Sequence, residues 1–307
     1  MTDAPTRRAE IINPFPLPGL WLKGCLHIHT TGSDGQLDPE ETVRRYHGLG
    51  YDFASITDHN VVIEPRDLPE GFLHIPGVEY DTEADNPERY WHVVSVGTEK
   101  CLAMPSYPVN AMLRLVAEVS PFYFVAHPYW SNLGGTDLTG LPAFPAVEIY
   151  NHLCQLWLER GHAEFHWDHL LSAGRRMWGL ATDDAHKLEQ IGGGRVVVRA
   201  AERSVKAIIT ALSSGHFYST TGPEFLDLRV EENRVWVRTS PVRSIAFIAN
   251  TSAGKYCEAA PGQSLTEASY DFRGSEIYLR VQCTDAQGRR AWTNPIVFWT
   301  VEEKPTP

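Results

Sequence analysis

The sequence predicts an α/β chain whose parallel strands close into a barrel, followed by a small antiparallel β domain. Three observations predict it. From about Trp21, short apolar runs alternate with helical stretches. That pattern builds a parallel sheet, and so many units favour closure. After Thr221-Gly222-Pro223 the helical period disappears and apolar residues alternate with polar ones, as in antiparallel strands with one wet face. Finally, nearly every apolar run of the first part ends in His, Asp or Glu, the position at which barrel loops converge.

The elements follow in order. Residues 1–20 hold Pro5, Pro14, Pro16 and Pro18 and read as an arm laid over the body. The barrel is expected over residues 21–223. Its strands are Leu22–His27, Phe53–Thr57, Phe72–Ile75, His92–Val96, Phe122–Ala126, Val147–Tyr150, Met177–Ala181 and Val196–Arg199. A helix over Pro39–Leu49 has Asp38 as N-cap; others are expected over Val109–Val119, His162–Ala173 and Val205–Leu212. The β domain is expected over residues 224–302, with a tail at 303–307. There Leu226, Leu228 and Val230 alternate, as do Val235 and Val237, Ile245 and Phe247, and Ile277, Leu279 and Val281. Ile191-Gly192-Gly193-Gly194 precedes a strand rather than a helix, so it reads as a flexible turn and not as a phosphate loop.

Composition limits the partners. In 307 residues the formal net charge is −11, which argues against duplex nucleic acid but leaves room for one small phosphate held by metal. Five scattered cysteines without a C-x-x-C pair read as reduced thiols of a cytoplasmic protein. No segment has signal-peptide character or the length of a membrane span. Oligomeric state stays open.

The segment Lys23–Gly35 reads KGCLHIHTTGSDG. Alternate side chains of a strand share a face, so His27 and His29 point the same way and can grip one ion. With 13 histidines in the chain, chance supplies roughly half an H-x-H, so the pair alone decides nothing. The other strands carry the weight. They run into Ser55-Ile56-Thr57-Asp58-His59-Asn60, Gly77-Val78-Glu79, Val125-Ala126-His127-Pro128 and Thr182-Asp183-Asp184-Ala185-His186, and one begins Tyr90-Trp91-His92-Val93. Imidazole and carboxylate without thiolate suit Zn, Mn, Fe or Ni and argue against a closed structural zinc. A second Asp-His, Asp168-His169, falls within a helical stretch and reads as solvated helix surface.

Taken in order, HIHTTGSD, TDHN, GVEY, a lone His opening a strand, AHP and DDAH resemble the PHP (polymerase and histidinol phosphatase) superfamily of metallohydrolases, over about Leu22–Pro223. GHFYSTTGP at 215–223 and WTNPI at 292–296 resemble a branch with a C-terminal β domain, which includes metal-dependent phosphoesterases and hydrolases of aryl carbamate esters. The resemblance implies a distorted (β/α)7 barrel holding two or three divalent ions, such as zinc, manganese or iron. It implies that His27, His29 and Asp184 hold the first, and that Glu79 bridges it to a second completed by His92 and His127. Asp34, His59 and His186 would hold a third, and Glu79, His59 and His186 would form the catalytic set. The chain departs from the family at Asp183, where many members have a small residue; capping of the following turn is the favoured role. Asp58 reads equally well as support behind a liganding histidine or as a turn residue.

Such a site implies hydrolysis of a small phosphate mono- or diester, with a water between two ions deprotonated near neutral pH and attacking phosphorus in line. The third ion, or His59 and His186, would serve the phosphate oxygens or the leaving group. The alternative is a carboxyl- or carbamate-ester hydrolase with the same metals, since fold does not choose chemistry; a non-catalytic metal- or sugar-binding module stands third. Asn151, Tyr129, Trp130 and Lys23 are candidate substrate contacts, as is Arg89. Each has a competing role: loop cap for Asn151, aromatic packing for Tyr129 and Trp130, surface for Lys23 and Arg89. His152, His162, His166 and His169 read as surface or helix residues.

Overall fold

The computed structural model of the chain describes residues 7–82, 90–103 and 108–300. The chain runs β1 (Arg7–Glu10), β2 (Leu20–Cys25), α1 (Pro39–Gly48), β3 (Phe53–Ala54), β4 (Leu73–His74), β5 (Gly77–Thr82), β6 (Trp91–Val96), α2 (Val109–Val119), β7 (Phe122–Val125) and α3 (Gly135–Thr139). It continues through β8 (Ala146–Asn151), α4 (His152–Leu158), α5 (Glu164–Ser172), β9 (Trp178–Thr182), β10 (Arg195–Ala200), α6 (Val205–Ser213) and β11 (Phe217–Thr220). The remaining strands are β12 (Phe225–Glu231), β13 (Arg234–Val242), β14 (Ser244–Ala249), β15 (Gly254–Glu258), β16 (Leu265–Asp271), β17 (Tyr278–Thr284), β18 (Arg290–Thr293) and β19 (Ile296–Thr300).

The expected helices form for the expected reasons. Asp38 accepts the Glu41 N–H at 2.7 Å, Pro39 opens α1, and Thr42, Val43 and Tyr46 are its buried face. Helices α3 and α4 were not anticipated. Helix α4 starts directly from β8: the Asn151 side chain accepts the Cys154 N–H, so no loop separates strand from helix and no break shows in the sequence.

Pairing is mixed rather than wholly parallel. Strands β2, β3 and β4 are parallel neighbours, as are β7, β8 and β9. Between these runs β5–β6 and β6–β7 are antiparallel, the latter although α2 lies between its two strands. Beyond Cys25 and Thr182 the chain forms a parallel bridge, Ile28 with Ala185, and another joins His59 to Glu79. The first of these contacts links the two parallel runs, and the second ties the segment after β3 to β5. Strand β10 pairs antiparallel with both β2 and β11. Ser219 stitches β11 to β9 by accepting the Ala181 N–H and donating to Gly179 O.

Three features were not anticipated. One sheet is continuous from β4 through β2, β10 and β11 into β18, β17, β19 and β1, so the later strands extend the earlier ones. Residues 7–10, expected as part of an arm, pair as a strand with β19; residues 1–6 and 301–307 lie outside the description. Leu226 is exposed while Phe225 and Leu228 are buried. The register slips between Phe225 and Asp227, and such a bulge reverses which side chain faces inward. Among the described residues no helix is long and apolar enough to cross a membrane.

Candidate metal centre

The chemistry-bearing residues gather where the strands end. His29 N–H donates to Ala185 O and Asp184 N–H to His27 O, each at 2.9 Å, so the segments after β2 and β9 run side by side. That places both histidines against Asp184. The side chains fall into three groups: His27, His29, Glu79 and Asp184; Glu79, His92 and His127; and His29, Asp34, His59 and His186. Within each, one candidate ligand atom per residue lies within 4.8 Å of all the others. All nine residues expected at a metal site are thus brought together, and His29 also borders the third group.

Glu79 joins two groups through its two oxygens. Its Oε2 is 3.1 Å from His27 Nε2 and 3.0 Å from His29 Nε2; its Oε1 is 2.9 Å from His92 Nδ1 and 3.4 Å from His127 Nε2. Asp184 Oδ1 stands 3.3 and 3.2 Å from the same His27 and His29 atoms. Asp34 reaches His29 Nδ1 at 3.3 Å and His186 Nε2 at 3.1 Å, with His59 Nε2 at 3.9 Å. Asp34 is 53% exposed, whereas Glu79 and His27 are buried. The third group therefore forms the mouth of the site and the first its floor.

Electrostatics show what this arrangement lacks in a bare chain. Burial pulls the His27 and His29 pKa values down, yet Asp184, Glu79, Glu148 and Asp34 outweigh it and push both well up. Burial works in the opposite direction on Glu79, but His27, His92 and His127 hold its carboxyl well below the usual range. His59 is pulled down by burial. Protons on the imidazoles thus balance a surplus of buried carboxylate that would otherwise be costly. Even so, His27 Nε2, His29 Nε2 and Asp184 Oδ1 are buried without a hydrogen-bond partner. Three orphaned donor-capable or acceptor atoms converging on one point, from imidazole and carboxylate, fit a divalent cation.

Supporting residues sort themselves by contact. Asp58 accepts the Thr30 N–H and hydroxyl at 2.8 and 2.6 Å and the Ser33 hydroxyl at 2.6 Å; it fastens the loop carrying Asp34 rather than a histidine. Asp183 takes the Gly192 and Gly194 N–H groups and the Tyr46 hydroxyl, so it caps the turn as expected. That turn is pinned by those bonds. Asn151 is fully buried, caps α4 and donates to Asp184 Oδ2 at 3.0 Å. The Lys23 ammonium donates to Leu49 O and lies over the Tyr51 ring, outside the three groups. Trp130 packs 5.0 Å from the His127 ring and 6.5 Å from Trp157, near-parallel to the latter. Tyr129 is half exposed beside His166. Arg89 lies outside the described residues.

Two histidines and one aspartate differ from their surface reading. His166 is buried and bonded to Leu133 O, and His162 joins Glu164 and Arg290. Asp168 receives both arms of Arg280 at 2.6 and 2.7 Å. Sequence reasoning also missed Glu148, wholly buried on β8 against His27. Its signal was a lone carboxylate inside the apolar run AVEIYN. The groove-forming Leu153, Leu156 and Trp157 on α4 were missed with the helix itself; with Lys187, Glu189 and Gln190 they enclose about 450 Å³ that opens onto Asp34 and His186.

No protein-family model and no curated protein sequence matches the chain. Among solved structures it is similar to a two-domain protein of Bacteroides vulgatus containing a predicted PHP-like metal-dependent phosphoesterase: TM-score 0.51, 15% identity, covering 92% of this chain and 95% of that one. It is also similar to an amidohydrolase of Chromobacterium violaceum, at a TM-score of 0.39 and 12% identity over 54% of this chain and 88% of the other. The second likeness is too slight to bear on the fold. The first spans nearly the whole chain, which therefore shares the mixed α/β fold of that protein.

Proposed function

We propose that the chain is a metal-dependent hydrolase that cleaves a small phosphate mono- or diester at a centre of two or three divalent ions. The linked parallel runs and the strands around them form the distorted (β/α)7 barrel of that reading, and the strands from β12 onward its companion β domain. The observation that carries it is the convergence of His27 Nε2, His29 Nε2 and Asp184 Oδ1, buried and unpartnered, on the shared carboxylate of Glu79.

His27, His29, Asp184 and Glu79 would hold one ion, Glu79, His92 and His127 a second, and Asp34, His59 and His186 a third. When bound, such ions supply Lewis acidity and a water acidic enough to ionise near neutral pH. The protein's own share is positional. Glu79, with both oxygens committed to imidazoles, keeps the groups in fixed register. Where the third position holds no ion, His59 and His186, at the more open face beside Asp34, are instead placed to pass a proton to the departing oxygen. Leu153, Leu156 and Trp157 would receive the apolar part of the ester. That groove also favours a second reading, hydrolysis of an apolar carboxyl or carbamate ester by the same centre.

Elemental analysis of the freshly purified chain should find two or three divalent ions, with hydrolysis of p-nitrophenyl phosphate or its bis ester that chelators abolish. His27→Ala or Glu79→Ala should remove both bound metal and turnover, a loss of at least about 100-fold. Cleavage of aryl acetates or carbamates but not phosphates would move the assignment to the second reading; full turnover without metal would end both.

A further inference from the structure

Glu148 belongs to none of the three ligand groups, yet it touches two of them directly. It is wholly buried at the middle of β8. Its Oε1 meets His27 Nδ1 at 3.0 Å and the Thr182 hydroxyl. Its Oε2 accepts the His127 backbone N–H at 2.7 Å and the Asn151 side-chain amide at 2.9 Å. A carboxylate offers about four lone-pair sites and no donor, so every partner must donate.

That requirement assigns the protons. The His127 N–H is a fixed donor. The Asn151 amide is fixed as well, because its Oδ1 accepts the Cys154 N–H at 2.8 Å. His27 must then donate from Nδ1, so that in the neutral, ion-binding imidazole the lone pair sits on Nε2, the atom facing Glu79 and Asp184. The same network reaches two positions of backbone strain. His127 has φ +26° and Asp184 φ +53°; Glu148 binds the first, and Asn151 carries the contact to Asp184 Oδ2 at 3.0 Å. Strained residues persist only where their surroundings over-determine them.

We propose that Glu148 is the positioning residue of the centre: it fixes the His27 proton on Nδ1, so that Nε2 is free to bind an ion, and ties His27, His127 and Asp184 into one register. The proposal rests on the metal-centre reading given above. A glutamine at this position tests it, since it keeps the shape but exchanges one acceptor for a donor. If its NH2 faces His27 and Thr182, the imidazole proton is driven to Nε2 and the ligand atom is lost. If its NH2 faces His127 and Asn151, two donors meet a donor and the strained residues relax. Aspartate keeps both acceptors and loses only reach.

The experiment uses the full chain loaded with zinc. Zinc affinity is measured by competition with a chromophoric chelator, and the His27 tautomer by long-range ¹⁵N–¹H NMR. Wild type should show Nδ1 protonated. Glu148→Gln should bind zinc about 10- to 100-fold more weakly with a changed His27 pattern, and Glu148→Asp should be intermediate, both with native near-UV circular dichroism. Equal affinity and an unchanged tautomer in Glu148→Gln would overturn the role of Glu148 while leaving the metal reading intact. A wild-type chain that takes up no zinc would overturn the metal reading and this proposal with it. Should Glu148→Gln fail to fold, Glu148→Asp decides: weakened binding supports the role and unchanged binding overturns it.

Discussion

Asp183 and Asp184 are adjacent in the chain and opposite in purpose. The positive φ at Asp184 turns its carboxylate toward His27 and His29, whereas Asp183 looks the other way into the 192–194 turn. Burial raises the Asp183 pKa to about 6, against the pull of the Gly192 and Gly194 N–H groups and Tyr46. Such division of labour was legible because strand ends are where short polar motifs stand out against apolar runs. Glu148 was not, since a carboxylate in mid-strand looks the same in sequence whether it faces water or a histidine. Glu164 gives the residue-scale prediction. Burial alone would raise its pKa, but His162 and Arg290 outweigh burial and hold it at about 2, below the ordinary 4.5. A depressed carboxyl stabilises the fold fully above its unfolded pKa and ceases to do so as pH falls through the folded one. Glu164→Gln should therefore cost about 2 kcal/mol above pH 5, with the gap to wild type closing between about pH 4.5 and 2. Urea titrations across that range check it.

At the scale of elements, the centre depends on loops that cannot move. The turn after residue 190 shows why. A Cβ on Gly194 would stand 2.3 Å from Thr182 O, so only glycine allows this turn to lie against the end of β9 while offering its N–H to Asp183. Thr182 in turn donates to Glu148. Gly194→Ala should destabilise the chain by about 2 kcal/mol or more, as overpacking does, and should weaken zinc binding through the displaced Thr182. Chemical denaturation and the chelator competition measure the two effects separately. The expected strands and four helices were readable from their periods and caps. The pairing directions were not, because whether β5 and β6 run parallel depends on what joins them, and a short apolar run carries no direction. Helix α4 escaped notice because its cap, Asn151, also ends a strand.

On the scale of the whole molecule, the early and late parts of the chain are fastened by more than one sheet. Asn294 accepts the Gly179 N–H and donates to Gly215 O and Phe217 O, which gives a structural use to the WTNPI segment. Arg280 on β17 is 2% exposed, grips Asp168 of α5 with both arms and lies over Trp167. Removing one member of such a pair strands the other. Arg280→Ala should cost about 3 kcal/mol, whereas Arg280→Met combined with Asp168→Leu should cost far less, because it removes both charges and keeps the volume. Differential scanning calorimetry of the two variants distinguishes these outcomes. Long-range fastening of this kind leaves no mark on local patterns, which is why the ties between the early and later strands were not legible.

The continuous sheet also dictates an order of events during synthesis. Strand β2 leads directly into His27 and His29, yet it pairs with β10, where Gly24 lies opposite Val196. The first ladder of all joins Arg7 to Thr300. A ribosome delivers the paired histidines early and their hydrogen-bonded neighbours some 170 residues later, at about 5–20 residues per second. For roughly ten seconds or more the nascent chain carries half a metal grip with no floor beneath it. Loop-closure entropy further delays the distant pairings. On the proposed reading, tight metal capture would therefore be a late step of biogenesis, with the ion a seal on a finished fold rather than the nucleus around which it forms.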